Sequence, residues 1–232
     1  KAKPTPSVGY KVVKTIAHNP NNFTEGFLFH KGKLFESTGS PDNLPNAQSE
    51  YGVTDTVTGQ FTPLNQLSKP TFGEGITILN NKVYQLTYKN RVGHVYNATT
   101  HKKEGHFTIP SAEGWGFTHN NEHLIMSNGS HKLIYLDTNN LMQAKTIYDK
   151  GKPVLYLNEL EYVKPYIYAN IFMTNIVVII NEQNGKVVAK INLDRIKQEE
   201  LTNNASALET NGIAYNPNSN QFYVTGKMWA RT

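Results

Sequence analysis

The chain has no cysteine among its 232 residues. Disulfide frameworks, thiolate zinc sites and iron–sulfur clusters are therefore excluded. Long apolar runs are missing too: no window approaches the ~18 consecutive apolar residues of a membrane-spanning helix. The most apolar run, Ile176–Ile180, has the length of one buried strand. Arginine is scarce, with only Arg91, Arg195 and Arg231 beside twenty lysines, so the formal charge of +5 comes from point charges and not from bidentate forks. Lys102-Lys103 is the only adjacent lysine pair and no basic tail exists. The footprint argues against nucleic acid as a partner.

What is present is strand and turn almost throughout. Runs rich in β-branched and aromatic residues (82–88, 123–126, 132–136, 166–172, 176–180 and 221–224) are punctuated by Lys31-Gly32, Asn80-Asn81, Asn120-Asn121, Asn184-Gly185 and Pro217-Asn218, residue types that tolerate hairpin turns. One stretch differs. Residues 194–203 place Ile196, Glu199 and Glu200 at helical spacing behind Asp194 as N-cap, and predict a single short helix.

A repeat organises the rest. EGFLFHKGKLFEST, EGITILNNKVYQLT, WGFTHNNEHLIMSN, NELEYVKPYIYANIF and NGIAYNPNSNQFYVTGK each read strand, tight turn, strand, and recur every ~40–50 residues at Gly26, Gly75, Gly116, Glu161 and Gly212. Five copies predict an all-β, five-bladed β-propeller, with Tyr10–Ala17 as an N-terminal strand that closes the ring. The competing reading is a β-sandwich. Residues 1–7 read as a flexible leader and 8–232 as one propeller domain. A start on Lys1 fits removal of an export signal, and with it a periplasmic or secreted protein.

In a propeller the first strand of every blade lines the central channel, so equivalent positions of different copies converge. Those positions hold Glu25, Glu74, Trp115, the Asn158/Glu159/Glu161 cluster and Asn211; the far ends of the second strands hold Tyr88, Ser127, Asn170/Phe172 and Lys227. Carboxylates, amides, one lysine and several aromatics at one channel mouth read as a site. His119, Glu122 and His123 match H-x-x-E-H, but that zinc pattern works on a helix, and here it straddles the Asn120-Asn121 turn. Glu159 and Glu161 share one strand face, which suits a structural calcium as well as a catalytic pair.

FTEG (23–26), LFESTGS (34–40), FGEGIT (72–77), QLTY (85–88), EGWGFTH (113–119), LNELE (157–161), YANIF (168–172), NGIAY (211–215) and VTGKMW (224–229) occur in that order. Together they resemble the plant and bacterial glutaminyl-peptide cyclotransferases, over roughly residues 8 to 229. The resemblance implies a five-bladed propeller, exported or vacuolar, that turns an N-terminal glutamine into pyroglutamate with release of ammonia. No catalytic zinc is required. It implies Glu74 as the proton shuttle, Asn158 and Lys227 as groups that stabilise the oxyanion, and Phe23, Phe72, Tyr88, Trp115 and Phe172 with Glu25 as the wall around the substrate. The partners are peptides or proteins with N-terminal glutamine, the state monomeric, and no cofactor is needed. Members of that family commonly carry Gln at the position of Glu25 and Trp at those of Tyr88 and Phe172. The alternative is a propeller of the same family that binds without turnover.

Overall fold

The computed structural model describes residues 3–137 and 142–232. It is all-β with one short helix, and four of its sheets have four antiparallel strands each. The first comprises β1 (Phe23–His30), β2 (Lys33–Gly39), β3 (Glu50–Thr54) and β4 (Phe61–Gln66). The second holds β5 (Gly73–Leu79), β6 (Lys82–Thr87), β7 (Val92–Asn97) and β8 (Lys103–Thr108). In the third are β9 (Phe117–His119), β10 (Leu124–Met126), β11 (Lys132–Leu136) and β12 (Met142–Thr146). A two-stranded ribbon, β13 (Tyr148–Asp149) and β14 (Lys152–Pro153), leads to the fourth sheet: β15 (Leu157–Val163), β16 (Tyr166–Ile171), β17 (Ile176–Asn181) and β18 (Val187–Asn192). After α1 (Asp194–Asn203), β19 (Thr210–Asn216) and β20 (Gln221–Gly226) pair as a two-stranded sheet.

Each sheet is a meander because tight turns join its strands. Lys31 and Gly32, and Asn80 and Asn81, all have positive φ, the left-handed geometry that a two-residue hairpin turn requires. The first strands form the ring: β1 packs on β5, β5 on β9, β9 on β15, β15 on β19 and β19 on β1. This is a propeller arrangement, and its core lies between blades. Leu28, Phe35 and Tyr51 of the first blade meet Ile76, Ile78, Val83 and Tyr96 of the second, and Ile125 and Leu133 of the third meet Leu160, Ile167 and Val178 of the fourth.

The blade count corrects the expectation. Four blades of four strands are present, not five, because the fifth copy contributes only β19 and β20. Tyr10–Ala17 does not form the expected closing strand. Its ladder is one antiparallel bridge, Ala17 to Arg231, with reciprocal bonds between Ile16 and Thr232 at 3.0 Å and one from His18 N to Ala230 O at 2.8 Å. A cavity separates the rest of the segment from β20. Residues 6–8 instead ride on β18, Lys190 N donating to Pro6 O and Val8 N to Lys190 O.

Closure rests on a buried polar knot. Glu36 of β2 accepts from His18 Nε2 at 3.0 Å, Asn22 Nδ2 at 3.0 Å and Thr24 Oγ1 at 2.8 Å, while His18 Nδ1 donates to Trp229 O at 2.7 Å. Both ring nitrogens face acceptors, so the imidazolium satisfies both. Burial opposes that charge, but the Glu36 carboxylate and the Trp229 carbonyl outweigh it and raise the His18 pKa. Burial likewise opposes the Glu36 charge, and His18, Thr24 and Asn22 outweigh it and hold the carboxyl below its usual range.

The helix lies where the sequence places it. Its N-cap, however, is Leu193 with no side-chain cap; Asp194 is in the first turn, its carboxylate taken by Asn175 and Asn192 at 2.8 Å each. Glu200 faces inward and accepts from Ala230 N at 2.7 Å and Arg231 Nε at 2.9 Å, so the helix clamps the end of the chain.

Candidate active site

Register breaks mark the site. Pairing slips by a residue between Thr24 and Gly26 in β1, between Gly73 and Ile76 in β5, between Leu157 and Leu160 in β15 and between Thr210 and Ile213 in β19. Each break contains a predicted channel-mouth residue: Glu25, Glu74, Asn158 with Glu159, and Asn211. A bulge re-aims a side chain that regular pleating would send elsewhere. A glycine follows four of the five ring positions, as Gly26, Gly75, Gly116 and Gly212, and at the first three the strands of neighbouring blades nearly touch. A Cβ on Gly75 would lie 2.6 Å from Trp115 O and Phe117 N, and one on Gly116 would lie 2.0 Å from Asn158 O.

Glu25, Glu74 and Lys227 come together although they are distant in sequence. Lys227 Nζ, just past β20, lies 2.8 Å from Glu25 Oε1, and Asn211 Nδ2 donates to Glu25 Oε2 at 3.2 Å. The carboxyls of Glu25 and Glu74 lie close enough to shift each other's titration, and all three side chains are buried. Two buried carboxyls and one ammonium hold one negative charge too many, and the excess is relieved by a proton. Burial and then the Glu25 charge push Glu74 well above the carboxylate range against the opposing pull of Lys227. Burial raises Glu25 too, but Lys227 opposes this directly. Burial works against the Lys227 ammonium, and Glu25 and Glu74 outweigh it, so its pKa is raised. Of the two carboxyls, Glu25 is the one paired with the Lys227 ammonium and Glu74 is the one pushed further toward its protonated form.

Aromatic rings enclose this cluster. Lys227 Nζ sits 4.4 Å from the centre of the Phe23 ring and 5.2 Å from that of Phe172. Phe23 meets Phe72 edge-on at 6.0 Å, Phe72 meets Tyr88 at 5.8 Å, and Phe172 meets Trp115 at 5.4 Å. The arc from Tyr88 to Trp115 is thus continuous through Lys227. Cation–π contact favours the ammonium in this dry setting. Of the residues predicted for the site, Asn158 stands apart from these contacts: its backbone O accepts from Ser127 Oγ at 2.7 Å, and its side-chain Oδ1 is buried without a hydrogen-bond partner.

Other predicted members do different work. Glu159 accepts from Phe27 N at 3.2 Å and Ile213 N at 2.8 Å, stitching β15 to β1 and β19, and Glu161 accepts from Tyr215 N at 3.2 Å. Burial raises both well above the usual range. His119 Nδ1 accepts from Asn121 N inside the β9–β10 turn, so the H-x-x-E-H string sits on a hairpin. Among the described residues no group of three or more histidines and carboxylates is placed to hold a metal. Sequence reasoning missed Glu113, which accepts from Trp115 Nε1 at 2.9 Å and so orients that indole. Its position within EGWGFTH was the available signal.

Residues 1–232, the whole chain, match the sequence pattern of the family described as glutamine cyclotransferase. The chain belongs to that family. It is 28% identical over 225 residues to the glutaminyl-peptide cyclotransferase of Arabidopsis thaliana, an alignment that spans 95% of this chain and 69% of the plant protein. It resembles the crystal structure of Myxococcus xanthus glutaminyl cyclase with a TM-score of 0.83 and 28% identity, over 95% of this chain and 93% of the bacterial one. Virginiamycin B lyase from Staphylococcus aureus, at 12% identity and a TM-score of 0.51 over 91% of this chain and 66% of its own, shares the fold alone.

Proposed function

We propose that this glutamine cyclotransferase converts the N-terminal glutamine of peptides or proteins into pyroglutamate by intramolecular aminolysis. The observation that supports this reading above the others is the buried Glu25–Glu74–Lys227 cluster, in which a carboxyl pushed toward its acid form stands beside an arc of aromatic rings. The arc of rings folds the glutamine back on itself, so that its α-amine meets its own carboxamide and the entropy of the encounter is removed in advance.

The free α-amine, with a pKa of roughly 7.7–8.0, attacks the carboxamide carbon in its neutral form. A C–N bond forms, the carbonyl electrons move to oxygen, and Lys227 and Asn158 stabilise the oxyanion. Glu74 gives its proton to the carboxamide nitrogen, the C–N bond to that nitrogen breaks, and ammonia leaves. The carboxylate so formed takes the surplus proton from the nitrogen that attacked, which restores the resting state. One proton is lent and one returned. The rise in the Glu74 pKa favours this order.

The test is ammonia release from a glutaminyl dipeptide amide, with mass spectrometry of the product. Stoichiometric ammonia and a peptide lighter by one NH3 support the reaction; neither product from a folded sample refutes it and leaves a binding propeller. The groups named belong to the chain itself, so turnover is expected to survive chelators, and loss with EDTA that zinc restores contradicts this assignment. Peptides or proteins with N-terminal glutamine as the substrate class, a periplasmic or secreted site of action and a monomeric state belong to the same proposal.

A further inference from the structure

The aromatic arc around Lys227 has two ends, Tyr88 and Trp115, and among the described residues no ring-to-ring contact joins them. The loop from β8 to β9 runs between the two. Gly114 N in that loop donates to Tyr88 O at 3.1 Å, and Tyr88 N donates to Phe72 O at 3.1 Å, so the loop is laced to the end of β6. Ser111 Oγ donates to Glu113 O and braces the same turn through the backbone. The Glu113 carboxylate is left for other work.

Its two oxygens span the gap. Oε2 accepts from Trp115 Nε1 at 2.9 Å. Oε1 lies 3.9 Å from Lys89 Nζ, and that ammonium stands 4.6 Å from the centre of the Tyr88 ring. Contacts thus run from Trp115 through Glu113 and Lys89 back to Tyr88, and the arc becomes a closed collar. The links are unequal. The bond to Nε1 is charge-assisted and short, with the Glu113 side chain 31% exposed; Lys89 is 65% exposed, and an ion pair of that length in water contributes little.

Trp115 depends on the stronger link. The far edge of its indole abuts Gly129, where an added Cβ would lie 2.6 Å from Cη2, and Phe172 meets it edge-on at 5.4 Å. These two neighbours limit how far the ring can travel, but apolar contact sets no direction. The ring N–H is the one polar group of the indole, and its bond to Glu113 sets the rotation.

We infer that Glu113 is a positioning residue of the reaction: it locks the Trp115 indole in the rotation that closes the collar, and so keeps the glutamine folded back on itself, with Lys89 as its weaker partner at Tyr88. The inference rests on the cyclase reading. Glu113 acts on the substrate through Trp115 and not by contact.

Two variants separate the bond from the loop. Glu113→Gln keeps an acceptor for Nε1, and Glu113→Ala removes it. For a glutaminyl dipeptide amide, kcat/KM is expected to fall roughly 10–100-fold in Glu113→Ala and to recover to within about fivefold of the parent in Glu113→Gln. Glu113→Met, apolar and of similar length, carries the same test if the alanine variant does not fold. A cycle with Trp115→Phe, which has no ring N–H, isolates the pair: in that background Glu113→Ala is expected to cost no more than about twofold. A second readout needs no substrate. The chain has two tryptophans, and Trp115→Phe keeps only Trp229, so the difference in emission belongs to Trp115. It is expected to move to longer wavelength in Glu113→Ala and to stay in place in Glu113→Gln. Parental kcat/KM in Glu113→Ala, an equal loss in Glu113→Gln, or an undiminished cost in the Trp115→Phe background overturns the inference. A parent that releases no ammonia refutes the cyclase reading instead, and emission then decides alone: an unmoved Trp115 band in Glu113→Ala overturns the positioning as well.

Discussion

Glu25 is the residue on which the electrostatics of the site turn. It adds a second buried carboxyl beside one lysine, and its charge, after burial, pushes Glu74 toward its acid form. The rate then requires two opposite states, a neutral substrate amine and a protonated Glu74. The profile of kcat/KM is expected to be bell-shaped, rising as the amine (pKa roughly 7.7–8.0) loses its proton and falling on an alkaline limb as Glu74 loses its own. Glu25→Gln removes the repelling charge and leaves Lys227 to face Glu74, so the Glu74 pKa drops and the alkaline limb moves to lower pH. An alkaline limb that stays in place in this variant contradicts the coupling of the two carboxyls. At this scale the residue types were legible in the sequence, but the charge state was not. It depends on a contact between the first and second blades and a lysine past the last strand, which no local pattern records.

The elements carry the site through their irregularities. The hairpins were readable because Lys31-Gly32 and Asn80-Asn81 have the chemistry of tight turns, and the helix because its spacing departs from the strand period. The four bulges were not. A bulge leaves the alternation of β1, β5, β15 and β19 nearly intact, and only the glycine after Glu25, Glu74 and Asn211 hints at it, with no such mark in β15. Gly75→Ala tests this level, since its Cβ would press on the backbone of Trp115 and Phe117. It should cost roughly 1–3 kcal/mol of stability and depress turnover by moving Glu74. Gly105→Ala, with nothing within 4 Å of the added Cβ, is the control that should leave both unchanged. Equal melting temperatures and equal rates for the two variants would falsify the role given to the bulge.

At the scale of the molecule, the five-fold repeat was visible in the sequence, yet four full blades form. The fifth copy ends after two strands, and the segment expected to complete it stands across a cavity from β20. Closure falls to the His18–Glu36 knot, which makes stability depend on pH. Glu36, with a lowered pKa, contributes fully above its unfolded value near 4.5 and loses that contribution as pH falls through its folded value. His18, with a raised pKa, contributes fully below 6.5 and loses it as pH rises through its folded value. Their joint contribution is therefore largest between about pH 4.5 and 6.5. Thermal melts of the protein and of Glu36→Gln should differ most in that window, by about 3–5 kcal/mol for a broken buried pair. A difference that does not vary with pH contradicts the assignment. Closure in turn holds Lys227 against Glu25, because Met228 N donates to Asn22 O and Trp229 O accepts from His18. The measurement that bears most directly on the account is turnover of a glutaminyl dipeptide amide by the protein and by Glu74→Gln, side by side, with Tm recorded for both. The account predicts ammonia and pyroglutamyl product from the first and a rate lower by roughly 10²–10⁴-fold from the second at nearly the same Tm. A folded Glu74→Gln protein that keeps the full rate, or a folded parent that releases no ammonia, contradicts it.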